Sequence, residues 1–123
     1  MLRAIIDLIA NELGFKPSEN LFRNAYPDSP DTIISVIDSG GFPPKLYETT
    51  REKVVGIKIR AGSYDEGSAL GEQIFKLFHD KENYEIENKK ILHSYAYTDV
   101  SYLYSDSKER EEFSIELVFL YQN

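Results

Sequence analysis

Cysteine is missing from all 123 residues. That excludes disulfides, thiolate metal sites and a Cys nucleophile, and it leaves no mark of an oxidising compartment. Tryptophan is missing too, and there are only two His. No apolar run approaches the roughly 20 residues that span a bilayer, so no membrane partner is expected. Cations are scarce: 14 Lys and Arg stand against 21 Asp and Glu, for a formal net charge of −7. Nucleic-acid binders need clustered Lys and Arg for phosphate contacts, so this balance argues against that class. Neither a Walker loop nor a Rossmann fingerprint occurs, and there are no repeats, low-complexity segments or linkers. Met1-Leu-Arg-Ala-Ile-Ile-Asp7 carries an acid inside its apolar stretch, with no cleavage-site pattern after it. It reads as a structural helix and not a signal peptide, so the protein is expected in the cytosol where it is made.

What is present fits one α+β domain, residues 1–123, with 41% hydrophobic and 28% charged residues. A chain of this length buries roughly two-thirds of its unfolded surface, enough for a core without staples. Leu2, Ile5, Ile6, Ile9 and Leu13 make a helical stripe, Gly14 stands where a left-handed cap would, and Pro17 prevents continuation, so residues 2–13 read as a helix. Leu21 to Ala25 reads as a short edge strand, and Ile33 to Ile37 as a strand buried on both faces. Val55, Ile57, Ile59 and Ala61 alternate with Gly56, Lys58 and Arg60, which predicts a half-exposed strand. Ser63-Tyr-Asp-Glu66 is a capping box opening a second helix over residues 64–79, with Leu70, Ile74, Leu77 and Phe78 as its stripe. Gly67 and Gly71 each cost about 1 kcal/mol there, which points to close packing of that face. Residues 80–90 are turn-prone, with a short extended piece at 84–86. The Tyr-rich run 91–104 changes parity near Thr98-Asp99, predicting a bulge or bend. Phe113, Ile115, Leu117, Phe119 and Tyr121 alternate in a last strand that pairs with the preceding one as an antiparallel hairpin. The expected architecture is a single, mainly antiparallel sheet with two helices packed on one face.

Candidate chemistry is thin. His79 at a helix end and His93 in a strand have no second ligand at metal spacing in the sequence, so both read as structural. Ser39-Gly40-Gly41 could cradle a phosphate, but Pro43 and Pro44 remove the amides that would do so. Asp28, Asp31 and Asp38 could gather round a divalent cation, although Asp28 and Asp31 also suit the turns beside Pro27 and Pro30. Tyr95, Tyr97, Tyr102 and Tyr104 could stack bases; without a basic groove they read better as core and protein interface. No nucleophile sits with a base and orienter. No enzymatic activity, cofactor or metal is expected.

The most unusual composition lies in Tyr26-Pro-Asp-Ser-Pro-Asp31 and Asp38-Ser-Gly-Gly-Phe-Pro-Pro44, which bracket the strand 32–37. The second cluster is too rich in Gly and Pro for helix or sheet and reads as a rigid loop. With the basic strand Val55-Gly-Ile-Lys-Ile-Arg60 running into Ala61-Gly-Ser-Tyr-Asp-Glu66 and the helix ending Leu77-Phe-His79, the chain resembles, nearly end to end, the minor capsid and tail-terminator (tail-completion) proteins of long-tailed bacteriophages. The resemblance implies an α+β subunit assembling into a ring, commonly a hexamer. Its partners would be copies of itself, the tail tube protein and a head-completion or connector protein, with DNA only as passing cargo. It further implies assembly in the bacterial host cytoplasm and residence in the tail or neck of the virion. On that reading the candidate contact residues are Asp38, Gly40, Gly41, Phe42, Pro43 and Pro44, with Tyr64 beside the second helix's start. A tight connection between strands is the plainer account of the loop. A small ligand-binding domain, a metabolic enzyme or a toxin-neutralising acidic module are the rival readings of the whole chain.

Overall fold

The apolar stripe of the first residues buries Leu2, Ile5, Ile6 and Ile9, and it forms α1 (Leu2–Leu13). Gly14 ends this helix at φ 75°, its N–H returning to Ala10 O, where a side chain would be strained. The structure is a computed structural model describing residues 1–44 and 49–122. The chain continues through β1 (Leu21–Arg23), β2 (Ile33–Phe42), β3 (Thr50–Ala61), α2 (Tyr64–Phe78), β4 (Lys81–Ile86), β5 (Lys89–Ala96), β6 (Ser101–Ser105) and β7 (Glu111–Gln122).

The described strands make one seven-stranded sheet in the order β1-β2-β3-β7-β5-β4, with β6 also on β7. Only β1 and β2 run parallel; the other pairs are antiparallel, as expected. β3 and β7 pair over their full lengths, from Thr50↔Gln122 to Ala61↔Glu111. The other edge of β7 is shared: β5 takes Leu117 to Tyr121 and β6 takes Glu111 to Ser114. Between them the N–H groups of Tyr97 and Thr98 converge on one carbonyl, Glu116 O. That convergence is the break the parity change at Thr98-Asp99 foretold.

Val55, Ile57 and Ile59 of β3 and Phe113, Ile115 and Leu117 of β7 share one core cluster with Ile5 and Ile9 of α1 and Ile74 and Phe78 of α2. Each such buried side chain contributes about 1.5–3 kcal/mol, so this layer dominates stability. The two helical glycines are explained by it. A Cβ on Gly67 would lie 2.3 Å from Phe113 Cε1, and one on Gly71 would lie 2.5 Å from Val100 Cγ1. Close approach of the helix outweighs the lost propensity.

Four expectations need correction. Residues 80–90 are mainly extended: β4 fills Lys81–Ile86 and pairs with β5 from Lys89, leaving only Glu87-Asn88 as the turn between them, because the polar side chains sit on a sheet edge. Ser63 Oγ does accept the Glu66 N–H at 3.2 Å, but the Glu66 carboxylate takes the Thr32 hydroxyl at 2.8 Å instead of reaching back, so the capping box is only half made. β3 is not half exposed at its end. Arg60 is 2% exposed and donates to Asp31 O and Pro30 O at 3.1 and 2.6 Å, because residues 24–31 cross that face. Lastly, Asp38 to Phe42 is not a loop. β2 runs on to Phe42 through a register shift between Asp38 and Gly41. Glycines that break a regular strand are what a bulge requires, so the ribbon with β3 persists.

Candidate functional site

The predicted contact residues fall at opposite ends of the β3–β7 ladder. At the β3 start, Asp38 shapes the bulge: its carboxylate accepts the Gly40 N–H at 2.8 Å and the Lys53 ammonium at 2.7 Å, while its own N–H meets Asn24 Oδ1. The Lys53 bond first, and the Gly40 N–H second, hold the Asp38 carboxyl below its usual range. Gly40 takes φ 86° and Gly41 φ 151°. A Cβ on Gly41 would lie 2.2 Å from Glu52 O, so this position admits glycine alone. The bulged ribbon then projects Phe42, which is 65% exposed, followed by exposed Pro43 and Pro44. Six of the seven predicted contact residues thus sit together on one stiff arm.

At the Asp38 base of that arm lies a cavity of about 520 Å³ lined by Arg3, Arg23, Arg51, Lys53 and Lys89, with Asp38 as its one carboxylate. Arg51 and Lys89 stand over the Tyr121 ring at 6.0 and 5.1 Å from its centre. These cations come from α1, the β1 edge, β3 and β5, so no linear motif could have announced them.

Tyr64, the seventh predicted residue, is at the other end. It opens α2, is 53% exposed, and packs its ring 5.4 Å from Tyr102 and 5.2 Å from Phe113. Tyr102 donates to Glu111 at 2.7 Å, and Leu103 and Tyr104 beside it are exposed. Tyr97 is exposed as well, while Tyr95 lies beside His93.

The same end carries a polar clamp, which explains the Tyr26–Asp31 segment. Arg110, 7% exposed at its side chain, donates to Asp28 Oδ1 at 2.8 Å and Asp106 Oδ2 at 2.9 Å, with Asp31 at 3.4 Å. Lys108 also bonds Asp28. Tyr26 lies under Lys58 and Arg60, and its hydroxyl donates to the buried Glu112 at 2.7 Å. Burial, then that carboxylate, push the Tyr26 hydroxyl well above its ordinary range, so it stays a donor. Asp28, Asp31 and Asp38 therefore do not gather round a cation: the first two bind Arg110 and the third binds Lys53.

Asp28 is drawn from 3.8 down to about 2, first by the Lys108 bond and then by Arg110. A folded-state value below the unfolded one stabilises fully above about pH 4, and that stabilisation is lost as pH falls through about 2. Urea unfolding is expected to show declining stability across that window, and Asp28→Asn should flatten the decline; an unchanged slope would contradict the clamp.

The histidines divide. His79 Nδ1 accepts the Ala96 N–H at 3.0 Å and its ring stacks on Phe75, a structural role. His93 does have neighbours that sequence spacing hid: Asp80 lies 3.0 Å away, and β4–β5 register sets Glu82 opposite it. The polar atoms of these three lie within 4.8 Å of one another, all near solvent.

The family described as bacteriophage tail terminator protein matches residues 8–123. A solved chain from the virion of a native gene transfer agent particle has a TM-score of 0.60 at 9% identity, covering 94% of this chain and 84% of that one. A second solved structure, whose description states no function, has a TM-score of 0.59 at 10% identity, covering 100% and 96%. At such identities they share the fold. No curated protein matches the chain.

Proposed function

The chain belongs to the bacteriophage tail terminator family, structural proteins of the phage tail, and from that premise we propose that it closes into a ring, commonly of six copies, on the end of the tail tube. The ring halts tube growth and offers a surface to the head-completion or connector protein. It assembles in the bacterial host cytoplasm, acts as one domain, and works by fitting without catalysis. The observation that carries this reading is the placement of two unlike exposed surfaces at opposite ends of one ladder: the Phe42 arm with a basic cavity at its Asp38 base, and the Tyr64–Tyr102 cluster beside acids. A head-to-tail ring needs two such different faces on every subunit, and exposed aromatics on a stiff scaffold are the usual anchors of interfaces. The net charge of −7 suits a passage that DNA crosses without being held.

The test adds the purified chain to polymerising tail tube subunits. Tubes should stop lengthening, with the chain at one tip only. Tubes that lengthen at the same rate, or carry the chain along their sides, would refute the reading.

A further inference from the structure

In a chain with a large acidic excess, five of the 14 basic residues line one cavity. Its single carboxylate, Asp38, is taken by Lys53. Among the described residues, Arg3, Arg23, Arg51 and Lys89 make no ion pair. Like charges so gathered repel one another and leave the cavity open to an anionic partner.

The complement stands on the same chain. At the far end of the ladder Asp65, next to Tyr64, and Glu109, just before β7, are exposed and, among the described residues, free of ion pairs, and Glu111 accepts the Tyr102 hydroxyl there. Twelve paired residues separate the ends, a span of roughly 36 Å at strand rise. One copy cannot bring its own ends together; two copies can. DNA is the poorer fit. A duplex needs an extended basic stripe, whereas here the surface outside the cavity is still more acidic than the chain as a whole.

Resting on the ring reading above, we infer that the basic cavity of each copy receives the acidic, tyrosine-bearing end of the next copy. The contact sets the direction of the ring. Cavity against cavity would oppose cations to cations, so pairing of two copies through the cavity alone is disfavoured while contact of the cavity with the opposite end is favoured. Raised salt weakens the contact.

The test compares ring formation at tube tips for Arg23→Glu/Arg51→Glu, for Asp65→Lys/Glu109→Lys, and for all four changes in one chain, with circular dichroism verifying each fold. Each double reversal should raise the concentration for half-maximal capping by at least about tenfold, and the combined variant should recover most of the loss. Arg23→Gln/Arg51→Gln, which removes the charge but keeps a polar side chain, should show a smaller loss and serves if a reversal fails to fold. Rings that form equally well in every variant, or a combined variant no better than either double, would overturn the inference while leaving the ring itself standing. Loss of binding to a short DNA duplex in Arg23→Glu/Arg51→Glu, with ring formation unchanged, would assign the cavity to nucleic acid and overturn it too. A wild-type chain that stays solitary at tube tips would bring down both readings.

Discussion

Arg110→Ala should lower folding stability by about 2–4 kcal/mol, read from urea unfolding at neutral pH. The guanidinium is nearly buried, and it joins the Tyr26–Asp31 crossover to the turn before β7. Its partners are unequal. Asp28 and Asp31 are 68% and 79% exposed and can return to water, whereas Asp106 is 12% exposed. Stranding Asp106 is thus the main cost, and the remaining N–H bonds from Lys108 and Arg110 hold the loss below that of a fully buried pair. Arg110→Lys should recover only part of it, because an ammonium cannot fork between Asp28 and Asp106. A typical domain has about 5–15 kcal/mol in hand, so the Ala variant is expected to fold but melt early. A change under about 0.5 kcal/mol would show that the crossover is held by other contacts.

The second large effect should appear in assembly and not in folding. Phe42 is 65% exposed, so Phe42→Ala should move stability by no more than about 0.5 kcal/mol. A buried aromatic anchor at an interface contributes about 2 kcal/mol or more, which converts to roughly thirtyfold in the concentration needed for capping. The arm beneath is stiff, since Gly41 is pressed on Glu52 O and Asp38 ties Lys53 to Gly40, so little ordering entropy opposes docking. Equal losses in folding and capping would instead make the segment a connection between strands with no further role.

These two residues also mark where sequence reading succeeds and where it stops. Helix α1 was legible because its stripe, the Gly14 cap and the Pro17 stop all agree within 17 residues. The core parity of β3 and β7 was legible for the same local reason. Phe42 stands out by the Gly and Pro around it; Pro43 and Pro44 do end the strand, but Gly40 and Gly41 belong to its bulge, and composition alone does not tell a bulge from a loop. Arg60 and Arg110 were illegible as buried groups. Their cover comes from residues 24–31, about 30 and 80 positions earlier, and no pattern within a strand reports what crosses its outer face. The basic cavity was hidden for the same reason, being assembled from α1, the β1 edge, β3 and β5. Composition even pointed away from it, because a net charge says nothing of where the few cations gather.

Counting copies at the tube tip tests the central claim most directly. Native mass spectrometry of tail tubes incubated with the chain should find one closed set of copies, six on the commonest plan, at a single tip of each tube. A single copy per tip, or an open-ended series of copies without a preferred number, would contradict ring closure.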